Sequence, residues 1–267
     1  MKPILAALFL WFLAWPALAE TLRMAVTTSF HNSGLSDVLL PRIAEETGLD
    51  VQLLVVGTGQ ALRLGEAGDV DAILVHSRTA EEAFVAAGHG THRREIMYND
   101  FVFVGPDADP AGLVDAADAR DALTRIAAAE AAFVSRGDDS GTHKRELSLW
   151  SGAGIAPEGA WYREVGAGMG AALNTAAGMG AYILSDRASW LNFGNKDGMA
   201  LLFAGDPVLF NQYAYLPVNP ARHDHVKAEA AARLEDWLTS DGAGALIDGY
   251  EVAGERLFTF NAVPREE

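Results

Sequence analysis

The chain has 267 residues, no cysteine and a formal net charge of −16. Half of it is apolar and 21% is charged, the balance of a globular protein able to bury a large core without disulfides. The acidity excludes non-specific binding to nucleic acid or to anionic lipid.

The N-terminus reads as a secretory signal peptide. Lys2 is the charged start, Ile4 to Trp15 an apolar stretch too short to span a bilayer comfortably, and Ala17-Leu18-Ala19 a cleavage motif. The expected mature chain begins at Glu20 and has 248 residues (267 less 19). No cysteine follows the apolar stretch, so a free periplasmic protein is expected rather than a lipid-tethered one, and a monomer.

Leu22 to Val26 alternates as a strand and ends in the hydroxyl run Thr27-Thr28-Ser29. A helix is expected from about Ser33 to Gly48, with Pro41 marking a kink or a late start. Val51 to Val56 is an almost wholly apolar second strand, suited to a parallel sheet buried on both faces. It ends at Gly57-Thr58-Gly59-Gln60, and a helix runs to about Ala67. Val70 to Val75 is the third strand, ending at His76-Ser77, followed by a short helix over Glu81 to Ala87. This βαβαβ order is the doubly wound pattern, in which ligands bind beyond the carboxyl ends of the strands. The hydroxyl turns at Thr28, Ser29 and Thr58 fall at such ends.

Phe101 to Val104 reads as a strand crossing into a second lobe. A helix over Val114 to Glu130 leads to the apolar run Ala131 to Val134. The turn that follows, Ser135-Arg136-Gly137-Asp138-Asp139-Ser140-Gly141-Thr142, joins a buried strand to a helix. Ser140 is a natural N-cap, and the first-turn N–H groups have no helical partner beside the positive end of the helix dipole. That makes an anion site, to which Arg136 adds a planar fork and Ser140 and Thr142 add hydroxyls. Asp138 and Asp139 are expected to turn away from the anion and to orient the turn or the arginine. Further strands are expected at Trp161 to Val165, Ala181 to Leu184, Ala200 to Phe203 and Tyr213 to Val218. Helices are expected at Met169 to Ala177, Val226 to Thr239 and Ala243 to Asp248.

The motif Arg136-x-x-x-Ser140-Gly141-Thr142 resembles that of phosphate-type periplasmic binding proteins, and the longer run to Lys144 resembles their tungstate-binding branch. The resemblance covers the mature chain through Thr27-Thr28-Ser29, Val56 to Leu62, Asp71 to His76, Met97 to Phe101, Phe133 to Trp150, Gly168-Met169-Gly170, Asp186-Arg187 and Asn219 to His223. It implies an α/β, two-lobed periplasmic binding protein-like fold, each lobe a doubly wound, mainly parallel sheet with the ligand cleft between lobes. The implied lobes are 20–99 with a return over 213–267, and 100–212. It implies a solute-binding protein, not an enzyme, that delivers tungstate to an ABC transporter permease in the inner membrane. Molybdate, sulfate or phosphate are alternative ligands, and an oxyanion-pocket ester hydrolase is the alternative from another class. The implied ligand set is Thr28, Ser29 and Thr58 from one lobe and Arg136, Ser140, Gly141 and Thr142 from the other. Backbone N–H groups near Gly59 and Met169 complete it, with no cofactor and no metal. Ser77-Arg78 stands where the family carries a small residue followed by proline, which makes Ser77 either an extra hydroxyl donor or a harmless change.

Other motifs are weaker. Gly166-x-Gly168-x-x-Ala171 matches a dinucleotide fingerprint but is not at the first βα turn, where such a fingerprint belongs. His89/His92 and His223/His225 lack the i, i+4 spacing of a helical zinc site. Ser140, His143 and Asp139 lie too close on one turn for a catalytic triad to be assumed.

Overall fold

The computed structural model describes residues 19–263; most of the expected signal peptide lies outside them. The first lobe opens with β1 (Glu20–Thr27), the short α1 (Thr28–Asn32) and α2 (Leu35–Thr47), followed by β2 (Leu49–Val56), α3 (Thr58–Ala67), β3 (Ala72–Val75) and α4 (Arg78–Ala86). The helix at Thr28 was not expected: Thr27 caps it, its Oγ1 accepting from Phe30 N at 3.2 Å. The longer helix starts at Leu35 and runs unbroken past Pro41, which lies on the solvent face.

β4 (Arg94–Pro106) then carries the chain into the second lobe. That lobe contains α5 (Ala119–Ala128), β5 (Phe133–Ser135), α6 (Gly141–Gly152), β6 (Tyr162–Glu164), α7 (Met169–Met179), β7 (Tyr182–Asp186), α8 (Arg187–Asn192) and β8 (Met199–Phe203). β9 (Phe210–Pro217) brings the chain back, and α9 (Ala228–Leu238) and α10 (Asp241–Asp248) cover the first lobe. A two-stranded ribbon of β10 (Glu251–Val252) and β11 (Glu255–Arg256) precedes β12 (Thr259–Phe260), which pairs with β4.

The strand order β2-β1-β3-β9-β4-β7-β5-β6 places two half-sheets side by side. β1 runs parallel to both β2 and β3, and β5 runs parallel to both β6 and β7. The antiparallel pairings gather on the connecting strands: β9 against β3 and β4, and β4 against β7 and β8. The connecting strands oppose each other because one leaves the first lobe and the other returns.

β4 is three times longer than the expected strand. Thirteen residues extend about 43 Å, enough to serve both lobes. Its first half, to Asp100, pairs with β9; its second half, from Phe101, pairs with β7 and β8. The polar residues that hide it are paired. Asn99 Oδ1 accepts from Asn211 Nδ2 at 2.7 Å, and Asp100 holds both Arg187 Nε and Nη2 at 2.8 and 2.6 Å.

Alternation along the strands feeds a core on each face of each half-sheet. Leu22, Met24 and Val26 join one cluster of the first lobe, while Ala25, Ile73 and Val75 join the other. In the second lobe Phe101 and Phe103 point to one face and Val102 and Val104 to the opposite one. The strand ends, and the helix starts that follow them, therefore meet along the seam between the lobes.

Candidate functional site

Helix N-termini from both lobes meet in the cleft. α1 and α3 approach from the first lobe, and α6 from the second. Each presents first-turn N–H groups and the positive end of its backbone dipoles. A cavity of about 20 Å³ lies among them, where one water needs roughly 10–15 Å³. Thr28, Ser29 and Thr58 line it from the first lobe, and Arg136, Ser140, Gly141 and Thr142 from the second. Seven of the nine residues expected from the sequence thus converge, although 108 residues separate Thr28 from Arg136 in the chain.

Met169, the first residue of α7, lines an adjoining cavity of about 280 Å³ together with Gly168, Gly170 and Ala171. The two cavities share Thr28, Ser29 and Arg136, so the larger forms a mouth to the smaller. The glycine-rich run that mimics a dinucleotide fingerprint is therefore the wall of this mouth. Gly59 lies in the first turn of α3, one residue beyond Thr58, and borders neither cavity.

Arg136 is 8% exposed, so its orientation is fixed by protein. Its Nε and Nη2 donate to Asp138 Oδ2 at 3.2 and 2.5 Å, and Nη1 reaches Thr142 Oγ1 at 3.5 Å. A guanidinium has five N–H donors, so two remain for a ligand. Asp138 also takes the Ser140 N–H on its other oxygen at 3.2 Å. Burial alone would raise the Asp138 carboxyl, but the Ser140 and Arg136 donors hold it below the ordinary aspartate value. It is thus a charged brace for the arginine and lines neither cavity. Asp139 is solvent-exposed with positive φ (58°), and its carboxylate lies 3.5 Å from Lys144 Nζ.

Ser140 caps α6, its Oγ accepting from His143 N at 3.2 Å, and His143 Nδ1 accepts from Asp139 N at 3.1 Å. The three residues bond through backbone N–H groups, so no nucleophile–base relay forms. The Ser77 N–H donates to the Glu81 carboxylate at the start of α4, and Ser77 lines neither cavity. Thr58 Oγ1 is buried with no hydrogen-bond partner and faces the small cavity. Three other histidines have structural partners: His92 Nε2 sits 2.8 Å from Glu235, while His223 and His225 bond to the carbonyls of Glu66 and Gly68; His89 packs its ring against Phe84.

Three further residues line the small cavity: Thr27, Gly57 and His76. The position of His76 at the carboxyl end of the third strand was the available signal, since that is where doubly wound sheets bind ligands. The ring keeps some surface toward the cavity but is otherwise enclosed by protein. Burial lowers its pKa to about 4, so it is neutral at physiological pH.

The profile of the PBP superfamily domain matches residues 14–242. The tungstate-binding protein TupA of Peptoclostridium acidaminophilum is 46% identical over 243 residues, covering 90% of this chain and 85% of its own. Among solved structures, the tungstate-binding protein TupA from Desulfovibrio alaskensis G20 superposes with a TM-score of 0.84 at 45% identity, covering 92% of this chain and 100% of that one. The tungstate ABC transporter structure from Geobacter sulfurreducens gives 0.80 at 46% identity, covering 86% and 99%. Two lobes joined by β4 and β9, helix starts facing each other across a cleft, and similarity along nearly the whole chain agree: this chain belongs to the PBP superfamily and, within it, to the family of the tungstate-binding proteins.

Proposed function

We propose that this protein captures tungstate between its lobes and delivers it to an ABC importer. The observation that carries this reading is the chemistry of the small cavity: hydroxyls, a guanidinium, an imidazole and helix-start amides line it, and none of its lining residues is a carboxylate. Tungstate carries no proton at neutral pH and needs donors alone. Hydrogen phosphate keeps a proton and needs an acceptor. The candidate acceptor, Asp138, is committed to Arg136 and Ser140.

In this reading Thr28, Ser29 and Thr58 donate from the first lobe, and Arg136, Ser140, Gly141 and Thr142 from the second. Met169 contributes its backbone N–H at the mouth, and Gly59 contributes through its backbone. The net negative charge of the chain does not oppose binding, because oriented donors within the cavity outweigh distant, salt-screened charges. The protein works as a monomer in the periplasm, and its partner is a permease in the inner membrane. Among the described residues no helix is long and apolar enough to cross a membrane.

Calorimetric titration of the chain from Glu20 onward with tungstate, molybdate, sulfate and phosphate, at one salt concentration, tests the reading. Tight one-to-one tungstate binding far above sulfate and phosphate is expected. A preference for phosphate would refute it.

A further inference from the structure

Ser29 Oγ stands at the centre of a cluster of proton-bearing groups. Thr27 Oγ1 is 3.1 Å away, Tyr213 Oη 3.3 Å and His76 Nε2 3.1 Å. A hydroxyl donates once and accepts twice. If Ser29 gives its proton to a neighbour, it shows the cavity a lone pair, and an anion there is repelled. If it accepts from its neighbours, its proton is left for the cavity. The proton on the imidazole decides between these states.

The His76 ring is held from several sides. One face lies against Tyr213, with centroids 4.7 Å apart. Its edge meets Gly141 of the opposite lobe so closely that a Cβ there would stand 2.6 Å from Cε1. Enclosure keeps the ring neutral, so it has a single N–H. The ring's own backbone carbonyl and the Asn211 side chain lie near it, yet Nδ1 makes no hydrogen bond of normal geometry with either. A ring proton is held better at Nε2, where Ser29 Oγ stands at 3.1 Å, than at Nδ1, where neither nearby acceptor is well placed. The proton therefore belongs on Nε2, where Ser29 Oγ accepts it. The fully buried Tyr213 phenol stays protonated and, 3.3 Å from Ser29 Oγ, can donate to its second lone pair. A charged acceptor in the cavity outcompetes Thr27 for the remaining serine proton.

We propose that His76 is a positioning residue whose neutral Nε2–H form fixes Ser29 as a donor, so that the pocket selects oxyanions that carry no proton. This rests on the oxyanion-binding reading given above. His76 acts through Ser29, at the junction of the two lobes.

The test is imidazole ¹⁵N spectroscopy of the purified protein with tungstate, the His76 signals assigned by their loss in His76→Gln. A neutral ring with the proton on Nε2 is expected. A proton on Nδ1, or an imidazolium, overturns the inference. Titration gives a second, independent reading. His76→Gln keeps an N–H near the Nε2 position and should bind tungstate within about threefold of wild type. His76→Leu has no donor; losing a hydrogen bond to a charged group should weaken tungstate roughly 10- to 100-fold and lower the tungstate-to-hydrogen-phosphate preference by about tenfold. A folded His76→Leu protein with that preference unchanged overturns the inference. The outcomes separate the two claims. Wild type that binds tungstate but carries the proton on Nδ1 refutes the role of His76 alone. Wild type that prefers sulfate, with that preference over hydrogen phosphate lost in His76→Leu, refutes tungstate alone and supports the role of His76. Wild type that binds no oxyanion refutes both.

Discussion

Gly141→Ala is the substitution that most directly tests how the cleft works. Gly141 is the first residue of α6 and has no positive φ, so an alanine meets no backbone strain. In an exposed helix Ala is favoured over Gly by about 1 kcal/mol, so the anion-free protein should be as stable as wild type or slightly more so. The obstacle lies across the cleft. The new Cβ would stand 2.6 Å from His76 Cε1 and 3.1 Å from Nδ1, where ordinary contact begins at 3.4 Å. His76 cannot easily swing aside, because Ser29 and Tyr213 hold it. The lobes must then stay apart by roughly an ångström, and donors at 2.8 Å from a bound oxygen would move beyond hydrogen-bond distance. Loss of about two charge-assisted bonds at roughly 1.5–3 kcal/mol each predicts a two- to four-decade loss of tungstate affinity. Calorimetry measures the affinity, and thermal unfolding with and without tungstate checks that the fold is intact. Affinity within threefold of wild type would refute the argument, since the bound protein would then not close His76 onto Gly141.

The other expectations divide between the anion turn and the histidine. Arg136→Ala should nearly abolish tungstate binding while the circular dichroism spectrum stays unchanged; affinity kept within a few-fold would remove the arginine from the site. Asp139→Asn should leave affinity within about threefold, because its carboxylate faces solvent and Lys144; a tenfold change by calorimetry would mean that it faces the anion. His76 also predicts a pH dependence of stability. Its folded pKa of about 4 lies below the unfolded value of 6.5, so the folded state binds fewer protons between these values. Above pH 6.5 it contributes nothing. Below it, wild type loses stability relative to His76→Gln by at most about 1.4 kcal/mol per pH unit, or about 2 kcal/mol by pH 5. Urea unfolding of both proteins at pH 7.5 and 5 measures this, and a difference that does not change with pH would refute the burial of the ring.

The anion turn was legible in the sequence because its parts are local. A buried strand end, Ser140 as a cap and Gly141 as the first helical residue lie within a few positions, and capping chemistry acts over that range. The same holds for Thr28 and Thr58 at the ends of the first two strands. Asp138 and Asp139 were expected to orient the turn or the arginine; two residues of separation bring Asp138 onto Arg136, while Asp139 lies by Lys144. Other features were set by distant parts of the chain. β4 looked like a four-residue strand because Asn99 and Asp100 interrupt its apolar pattern, and their partners, Asn211 and Arg187, lie 112 and 87 residues away. The expected helix over Val114 to Glu130 is instead a short 3-10 turn over Leu113–Asp115 and a helix beginning at Ala119, whose N–H donates to Asp206 on a remote loop at 2.8 Å. The role of His76 was the least legible. Its serine partner lies 47 residues upstream, and the glycine against its ring belongs to the other lobe. The Ser140 cap and the alternation of the first strand are properties of neighbouring residues, and the sequence alone settles them. Which buried polar groups face one another, and which way their protons point, depends on how the lobes close, and only the tertiary structure decides that.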